Sequence, residues 1–393
     1  MKYLTLTLQG DHYAQGRQHG HQVQSLRPQI AKAMSDQVRR TDQVRTAVRL
    51  TQVEQDGAGA RFERLLQETR DLLHEIDTPL LDLVRGQAEA LEFEFDTLLR
   101  YSLASYLHDV VHEDMAHEGT RVACQSYTAE GCTTWAATGS AILAGADGTS
   151  GPLLAKNRDY RLEHFPLQVV IQVTPQSGYR YVCSGSAGSP GVFCAGINQA
   201  GLAVADTHVT STDVGPGLPD YSLMMHLLEE HDCVSSALDY LRSVPRMGRN
   251  NLILADTRGH LAVFEIGHRT YGLFETHDGV LVNTNHFAST ELRGCFVDTS
   301  KPHLKGNSFQ RNEKVTRALE AALGQIDVPF GQRLMATHAG PLASICRHPR
   351  SGRHPAEARR SSTISASIFL PGRRAMLFCH GLPCQGRYDE FLL

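Results

Sequence analysis

About a third of the way along this chain, near Arg121, the hydrophobic pattern changes period, and that change limits the fold to a few layered architectures. From Gly16 to Glu118 apolar residues recur at helical spacing. Leu65, Leu66, Leu72, Leu73 and Ile76 form one stripe, and Leu83, Val84, Leu91, Phe95 and Leu98 form another. Thr78-Pro79 supplies an N-cap and first-turn proline for the second helix, and "DGAGA" at Asp56 to Ala60 reads as a loop between helices. Beyond Arg121 the apolar runs are short, β-rich and bounded by turn residues: "GCTTWAA", "SAILAG", "GPLLAKN", "LQVVIQVTP", "YRYVCSG", "GVFCAGIN" and "GLAVADTHV". Helical patterns interrupt at Tyr221 to Glu230 and Val234 to Ser243. Strands then resume in "NLILADTRGHLAVFEIG" and "YGLFETHDGVLVNTNHF", with "TRGH" and "HDGV" standing where hairpin turns belong. A helix over Ser308 to Leu323 and strands around Ser362 to Leu370 and Arg374 to Cys379 follow. Strands in two groups with helices between and after them indicate two sheets covered by helices, not a βαβ repeat.

With 393 residues the chain is long enough for one large unit with an appended segment, or for two domains. The formal net charge of −4 carries no basic excess, so nucleic acid and anionic membranes are poor partners and a small molecule is the better expectation. The first residues alternate apolar and polar without the apolar core of a secretory signal, and no run approaches the roughly 20 apolar residues of a spanning helix. A soluble, cytoplasmic protein is expected. Nine cysteines at irregular spacings cannot all pair within one chain, so reduced thiols are the simpler assumption. The 20 histidines include no HExxH, CxxC or finger-spaced Cys/His set, so solvated or structural histidines are favoured, no metal site is assigned, and metal stays the weaker alternative. "CRHPRSGRHPAEARRSS" at Cys346 to Ser362 reads as an exposed, solvated basic loop.

One cysteine stands apart, because Cys132 follows Gly131 and opens the first β-rich run. A free cysteine is most often a small buried hydrophobe. If the Cys132 thiol instead attacks the Gly131 carbonyl, the peptide becomes a thioester that water opens. Cys132 is then a chain terminus whose α-amino group, with an ordinary pKa near 8, serves as the thiol's own base. Glycine before the bond leaves attack unhindered by a Cβ. Trp135 falls on the opposite face of the strand by period-two alternation, which favours core packing over substrate stacking.

Several separated motifs, "YAQGRQHG" at Tyr13 to Gly20, "EGCTTWAA", "AKNRDY" at Ala155 to Tyr160, "GINQAGLAVADTH" at Gly196 to His208, "NTNHF" at Asn283 to Phe287, "NSFQR" at Asn307 to Arg311, "SICRH" at Ser344 to His348 and "HGLPCQGRY" at His380 to Tyr388, run in order along nearly the whole chain. Together they resemble the autoproteolytic N-terminal-nucleophile amide hydrolases and acyltransferases of peptidase family C45. The resemblance implies an α+β fold, a four-layer αββα sandwich, with residues 1–131 as a helical segment and residues 132–393 as the catalytic part. The two would stay together as a heterodimer after cleavage between Gly131 and Cys132. It also implies a small N-acyl amide substrate, an acyl-CoA or amine acceptor as further partner, and no cofactor.

By the same resemblance Cys132 is the nucleophile, Asp159 the carboxylate at the new amine, Asn285 an oxyanion donor and Arg311 a support for the nucleophile, with Ser308 a weaker candidate beside it. Thr207 and His208 fall where a second, backbone oxyanion donor is supplied. Lys156 stands where relatives carry an arginine, keeping the charge but losing the guanidinium fork. Two other readings of the residues stay open: an intact-chain thiol hydrolase pairing Cys132 with His286 or another histidine, and a non-catalytic module that keeps the fold.

Overall fold

A computed structural model describes residues 3–47, 52–104, 131–144, 151–298, 305–349 and 361–393. Its frame is two stacked sheets. The larger has the order β1-β4-β5-β6-β7-β8-β9-β10, where β1 is Leu4–Gly10, β4 Gln168–Pro175, β5 Tyr181–Ser186, β6 Ala195–Asn198, β7 Ala203–Thr207, β8 Asn251–Ala255, β9 Leu261–Ile266 and β10 Tyr271–Thr276. The smaller has the order β11-β2-β3-β12-β13-β14, where β2 is Thr133–Thr138, β3 Leu153–Arg161, β11 Gly279–Asn283, β12 Ser361–Leu370, β13 Ala375–His380 and β14 Tyr388–Leu392.

The central strands are buried on both faces because each side chain parity meets a different layer, while β1, β10, β11 and β14 at the edges are partly exposed. Ala136, Leu154, Val182, Ile197, Ile253, Phe369 and Phe378 pack between the sheets. On the outer face of the smaller sheet Trp135, Ala137, Ala155 and Ile368 meet helices α7 (Asn307–Glu320) and α8 (Val328–Met335). On the outer face of the larger sheet lie α1 (His12–Gln22), α2 (Arg27–Ala47), α3 (Gln52–Ile76), α4 (Thr78–Leu91), α5 (Asp220–Glu230) and α6 (Val234–Ser243). The architecture is the expected αββα sandwich. Trp135 is fully buried in the outer cluster, with its indole N–H donated to Met335 Sδ at 3.1 Å.

Residues before Cys132 are not helical throughout. The chain begins with β1, which pairs in parallel with β4 and buries Leu6 and Leu8. This segment therefore contributes an edge strand and much of one helical layer to the sandwich. "DGAGA" lies inside α3, because a helix with apolar residues on both sides of two glycines propagates through them at a cost of about 1 kcal/mol each. The cap of α4 is Asp77, whose carboxylate accepts from Leu80 N–H, one residue earlier than Thr78. In "SAILAG" Ser140 and Ala141 belong to a short 3₁₀ turn, Gly139–Ala141, where a strand was expected, and Gly145 lies outside the described residues. "TRGH" does join the hairpin β8–β9, but "HDGV" carries the chain from the larger sheet to the smaller one. Asp278 anchors that passage by accepting from Ser140 N–H.

The glycines of "YAQGRQHG" have a packing role. A Cβ on Gly16 would overlap the Leu83 carbonyl, and one on Gly86 would overlap the Tyr13 carbonyl, so α1 and α4 cross in backbone contact. His19, buried and held neutral with its pKa lowered to about 4 by desolvation, accepts from Gly188 N–H at 3.0 Å and ties α1 to the "GSPG" loop. Gly86→Ala should therefore lower the thermal unfolding midpoint by several degrees, corresponding to about 1–3 kcal/mol of overpacking. A variant melting with the parent would show that this crossing is slack.

Candidate active site

Cys132 lies just before β2, which is the second strand of the smaller sheet and pairs with β3, so Gly131 sits opposite Asp159. Gly131 N–H donates to the Asp159 carbonyl at 3.3 Å. The Asp159 carboxylate accepts from Thr363 Oγ1 at 2.5 Å and faces Arg347 Nη1 at 3.5 Å. A Cβ on residue 131 would overlap that guanidinium, which gives a local reason for glycine. The register of β12 shifts between Thr363 and Ser365 opposite this point, a bulge that brings Thr363 to the carboxylate.

Arg311, from the first turn of α7, is 1% exposed and anchors the other side. Its Nη1 donates to the Cys132 carbonyl at 2.5 Å and to Thr133 Oγ1 at 2.8 Å. Nη2 donates to Asn285 Oδ1 at 2.6 Å, and Nε donates to Asn307 Oδ1 at 3.0 Å. Burial, with Arg347 beside it, lowers its pKa to about 10, which leaves it charged at neutral pH. Asn285 Nδ2 donates to the His208 carbonyl at 2.7 Å. Arg311 thus links Cys132 to Asn285 through buried polar contacts, and Asp159 joins them through the Gly131 backbone.

The Cys132 side chain faces a cleft enclosing about 560 Å³, open solvent at its mouth included. The cleft is lined from both sheets by Lys156, Arg158, Phe193, Asp206 and His208, and Arg249 and Asp220 close it. Burial pushes the thiol up to about 12 against the pull of Lys156. Lys156 is buried and ion-paired with Asp206, and its ammonium also donates to the carbonyls of Asp206 at 2.6 Å and Cys194 at 3.1 Å. Burial opposes its charge, but Asp206 and the nearby thiols outweigh that and hold it above its usual range.

The remaining expected residues belong to neighbouring polar networks. Thr207 Oγ1 bonds Asn283 and the Thr284 carbonyl inside a network with Asn251, which fixes the end of β7. Ser308 Oγ bonds His286 Nδ1 at 2.8 Å and Thr284 Oγ1 at 3.0 Å. His286 is kept neutral by burial and by Arg311, with its pKa lowered to about 4, and it stacks near Phe309. His208 is the histidine that shares the cleft with Cys132, and its ring is held by Arg249.

A family model described as acyl-coenzyme A:6-aminopenicillanic acid acyl-transferase matches residues 146–382, more than half of the chain. The chain belongs to that family. The matched segment includes Asp159, Asn285 and Arg311 and begins beyond Cys132. Among solved structures, conjugated bile acid hydrolase from Clostridium perfringens is similar at 13% identity and a TM-score of 0.48, covering 67% of this chain and 92% of that one. Penicillin V acylase from Agrobacterium tumefaciens is similar at 15% identity and a TM-score of 0.40, covering 67% and 86%. No curated protein matches.

In this acyl-transferase family member the largest surprise is Arg347. It lies in "SICRH", inside a stretch expected to be exposed, yet it is buried, as are Cys346, Ser361 and Ser362. The start of β12 holds it: Arg347 N–H donates to Thr363 Oγ1, and the Arg347 carbonyl accepts from Thr363 N–H, both at 2.8 Å. The arginine in that motif was the available signal; its density of charge suggested solvent instead. Arg158, Asp206, Asp220 and Arg249 were also missed. Arg249 and Asn250 both have positive φ, 55° and 68°, a strained conformation that no local motif announces.

Asp220 gives a pH signature. Burial raises its carboxyl from 3.8 to about 6, against hydrogen bonding from Asn250 and the charge of Arg249. The folded state then holds a proton that the unfolded chain loses first. The contribution of this group is present below about 3.8 and is lost as pH rises through about 6. Asp220→Asn removes that loss, so its melting temperature should gain on the parent between pH 4 and 7, by the equivalent of about 3 kcal/mol at most. A difference that stays flat with pH would show that the carboxyl ionises normally.

Proposed function

We propose that this family member is a self-processing cysteine amidohydrolase or acyltransferase that acts on a small N-acyl amide through a Cys132 thioester. The observation that carries the reading is the placement of Cys132. Its thiol faces the cleft, its carbonyl is held by the buried Arg311, and the residue before it lies against Asp159 and Arg347.

In the intact chain the thiol is buried and protonated at neutral pH, and the backbone nitrogen of Cys132 is an amide without basicity. Attack by Sγ on the Gly131 carbonyl breaks the Gly131–Cys132 peptide bond, and the thiol proton ends on the released nitrogen. Water then opens the thioester, leaving a carboxylate on Gly131 and both a free thiol and a free amine on Cys132. In turnover that amine takes the thiol proton as sulfur attacks the substrate carbonyl. It then returns the proton to the departing amine. Asp159 orients the amine, and the second N–H of the Asn285 amide serves the oxyanion. Water or an amine acceptor resolves the thioester. Residues 1–131 stay attached through the β1–β4 pairing and through hydrogen bonds from Gly188 N–H to His19 and from Gln87 to the Ser189 carbonyl. Eight free cysteines among the described residues support a reducing, cytoplasmic setting.

A second reading, an intact-chain thiol hydrolase, has His208 in its favour because it shares the cleft. Arg249 Nη2 lies within hydrogen-bond distance of both ring nitrogens of His208, and a cation against the imidazole opposes the positive charge that a histidine base would acquire. The α-amine is the better base on that ground.

Intact-mass measurement separates the two. Wild-type protein should convert from 43.3 kDa to two fragments with Cys132 as a new N-terminus, while Cys132→Ala stays whole and inactive. Arg311→Gln should slow processing by about 100-fold or more, and Asn285→Ala should lower kcat by about 100- to 1,000-fold. An active chain that remains uncut and loses activity in His208→Ala would overturn the proposal. With Arg158 and Arg249 both in the cleft wall, N-acyl amino acids with a free carboxylate should exceed the matching neutral amides by about tenfold in kcat/KM. Equal rates on the two would remove the anionic preference.

A further inference from the structure

The fold gathers two imidazoles and two thiols that no spacing in the sequence announces. His338 follows α8, Cys346 and His348 flank Arg347, and Cys384 comes from the turn between β13 and β14. One ligand atom from each lies within 4.8 Å of all the others. His338 Nε2 and His348 Nε2 are 3.1 Å apart, His348 Nε2 and Cys384 Sγ 3.2 Å, and Cys346 Sγ and Cys384 Sγ 3.6 Å. Around a tetrahedral zinc, bonds of about 2.0 Å to nitrogen and about 2.3 Å to sulfur set edges of about 3.3 Å for N–N, 3.6 Å for N–S and 3.8 Å for S–S. These three separations are close to those edges, slightly contracted, and the remaining pairs lie within 4.8 Å. The imidazole rings meet at 68°, so both can aim a nitrogen at one point.

We propose that His338, Cys346, His348 and Cys384 form a structural zinc site. The donor set is two soft thiolates and two imidazoles, which select Zn²⁺ over hard cations. Binding displaces one proton from each thiol, so two thiolates balance the dication and the partly buried site is neutral. Four protein ligands leave no open position, which makes the site a clamp and not a Lewis acid. It joins the segment at 337–348 to the turn at 382–386. The first is already stitched by Ile345 and Cys346 N–H bonds to the Thr337 carbonyl, and the second by Gln385 and Gly386 N–H bonds to the Leu382 carbonyl. Between two of the ligands stands Arg347, the residue against Asp159 and Gly131. The zinc would thus hold a positioning residue from behind. A disulfide between Cys346 and Cys384 would leave the convergence of the two histidines unused.

The test is metal content of the full chain, purified without chelator and with any affinity tag removed. Mass spectrometric metal analysis should find about one zinc per chain. Cys346→Ser with Cys384→Ser, and separately the exposed His338→Ala, should bring it below about a tenth and a half respectively. Chelator-stripped, reduced protein should take up Co²⁺ with the visible bands of a tetrahedral thiolate complex, absent in the double variant. It should also regain its melting temperature on adding Zn²⁺. Wild-type protein with under a tenth of an equivalent of zinc and no cobalt thiolate band overturns the site. Zinc retained in the variants, or a native Cys346–Cys384 disulfide whose reduction gives no metal uptake, overturns it as well. None of these readouts depends on self-cleavage or turnover.

Discussion

The buried guanidinium of Arg311 is the contact on which the site depends. It satisfies four oxygen acceptors drawn from the start of β2, the loop after β11 and its own helix, and none of the four is ionised. A charge so placed is costly unless its donors find acceptors, so the geometry around it is fixed by the penalty for losing one of these hydrogen bonds. Because one of those acceptors is the Cys132 carbonyl, the backbone at the nucleophile candidate is rigid without any covalent constraint. The opposing ion pair of Asp159 and Arg347 fixes the preceding residue in the same way.

The cleft exists because the two sheets are joined by passages and not closed by hairpins. The "HDGV" segment moves the chain from one sheet to the other, which places β11 beside β2 and brings Asn285 to Arg311. From the larger sheet, the residue before β6, Cys194, and Asp206 of β7 then meet Lys156 of β3. Lys156 and Cys132 share a wall because even-numbered positions along β3 and the run into β2 point between the sheets, and Asp206 of β7 meets Lys156 there. Odd-numbered Trp135 and Asn157 point outward, where Asn157 bonds the carbonyls of Met335 and Ile345.

Much of this was legible in the residues. The period change near Arg121 marked the layered class, α6 falls at the expected Val234–Ser243, and the alternation placing Trp135 opposite Cys132 holds. Errors came where local chemistry has two solutions. Asp-Gly serves a hairpin or a passage between sheets, and glycines in "DGAGA" permit a loop or a helix carried through by its neighbours. Charge density misled at Arg347, since a basic stretch is solvated unless a buried carboxylate is waiting for it.

The sequence by itself determined the periods of its elements, the glycine before Cys132 and the residue types available for chemistry, because those are properties of neighbours along the chain. Only the tertiary structure decided which charges meet. Asp159 and Arg347 are far apart in sequence, as are Lys156 and Asp206, and the two thiols and two imidazoles near Arg347 come from separate segments. Such pairings are set by sheet order and register, where one residue of slip would turn Lys156 away from the cleft and Asp159 into it.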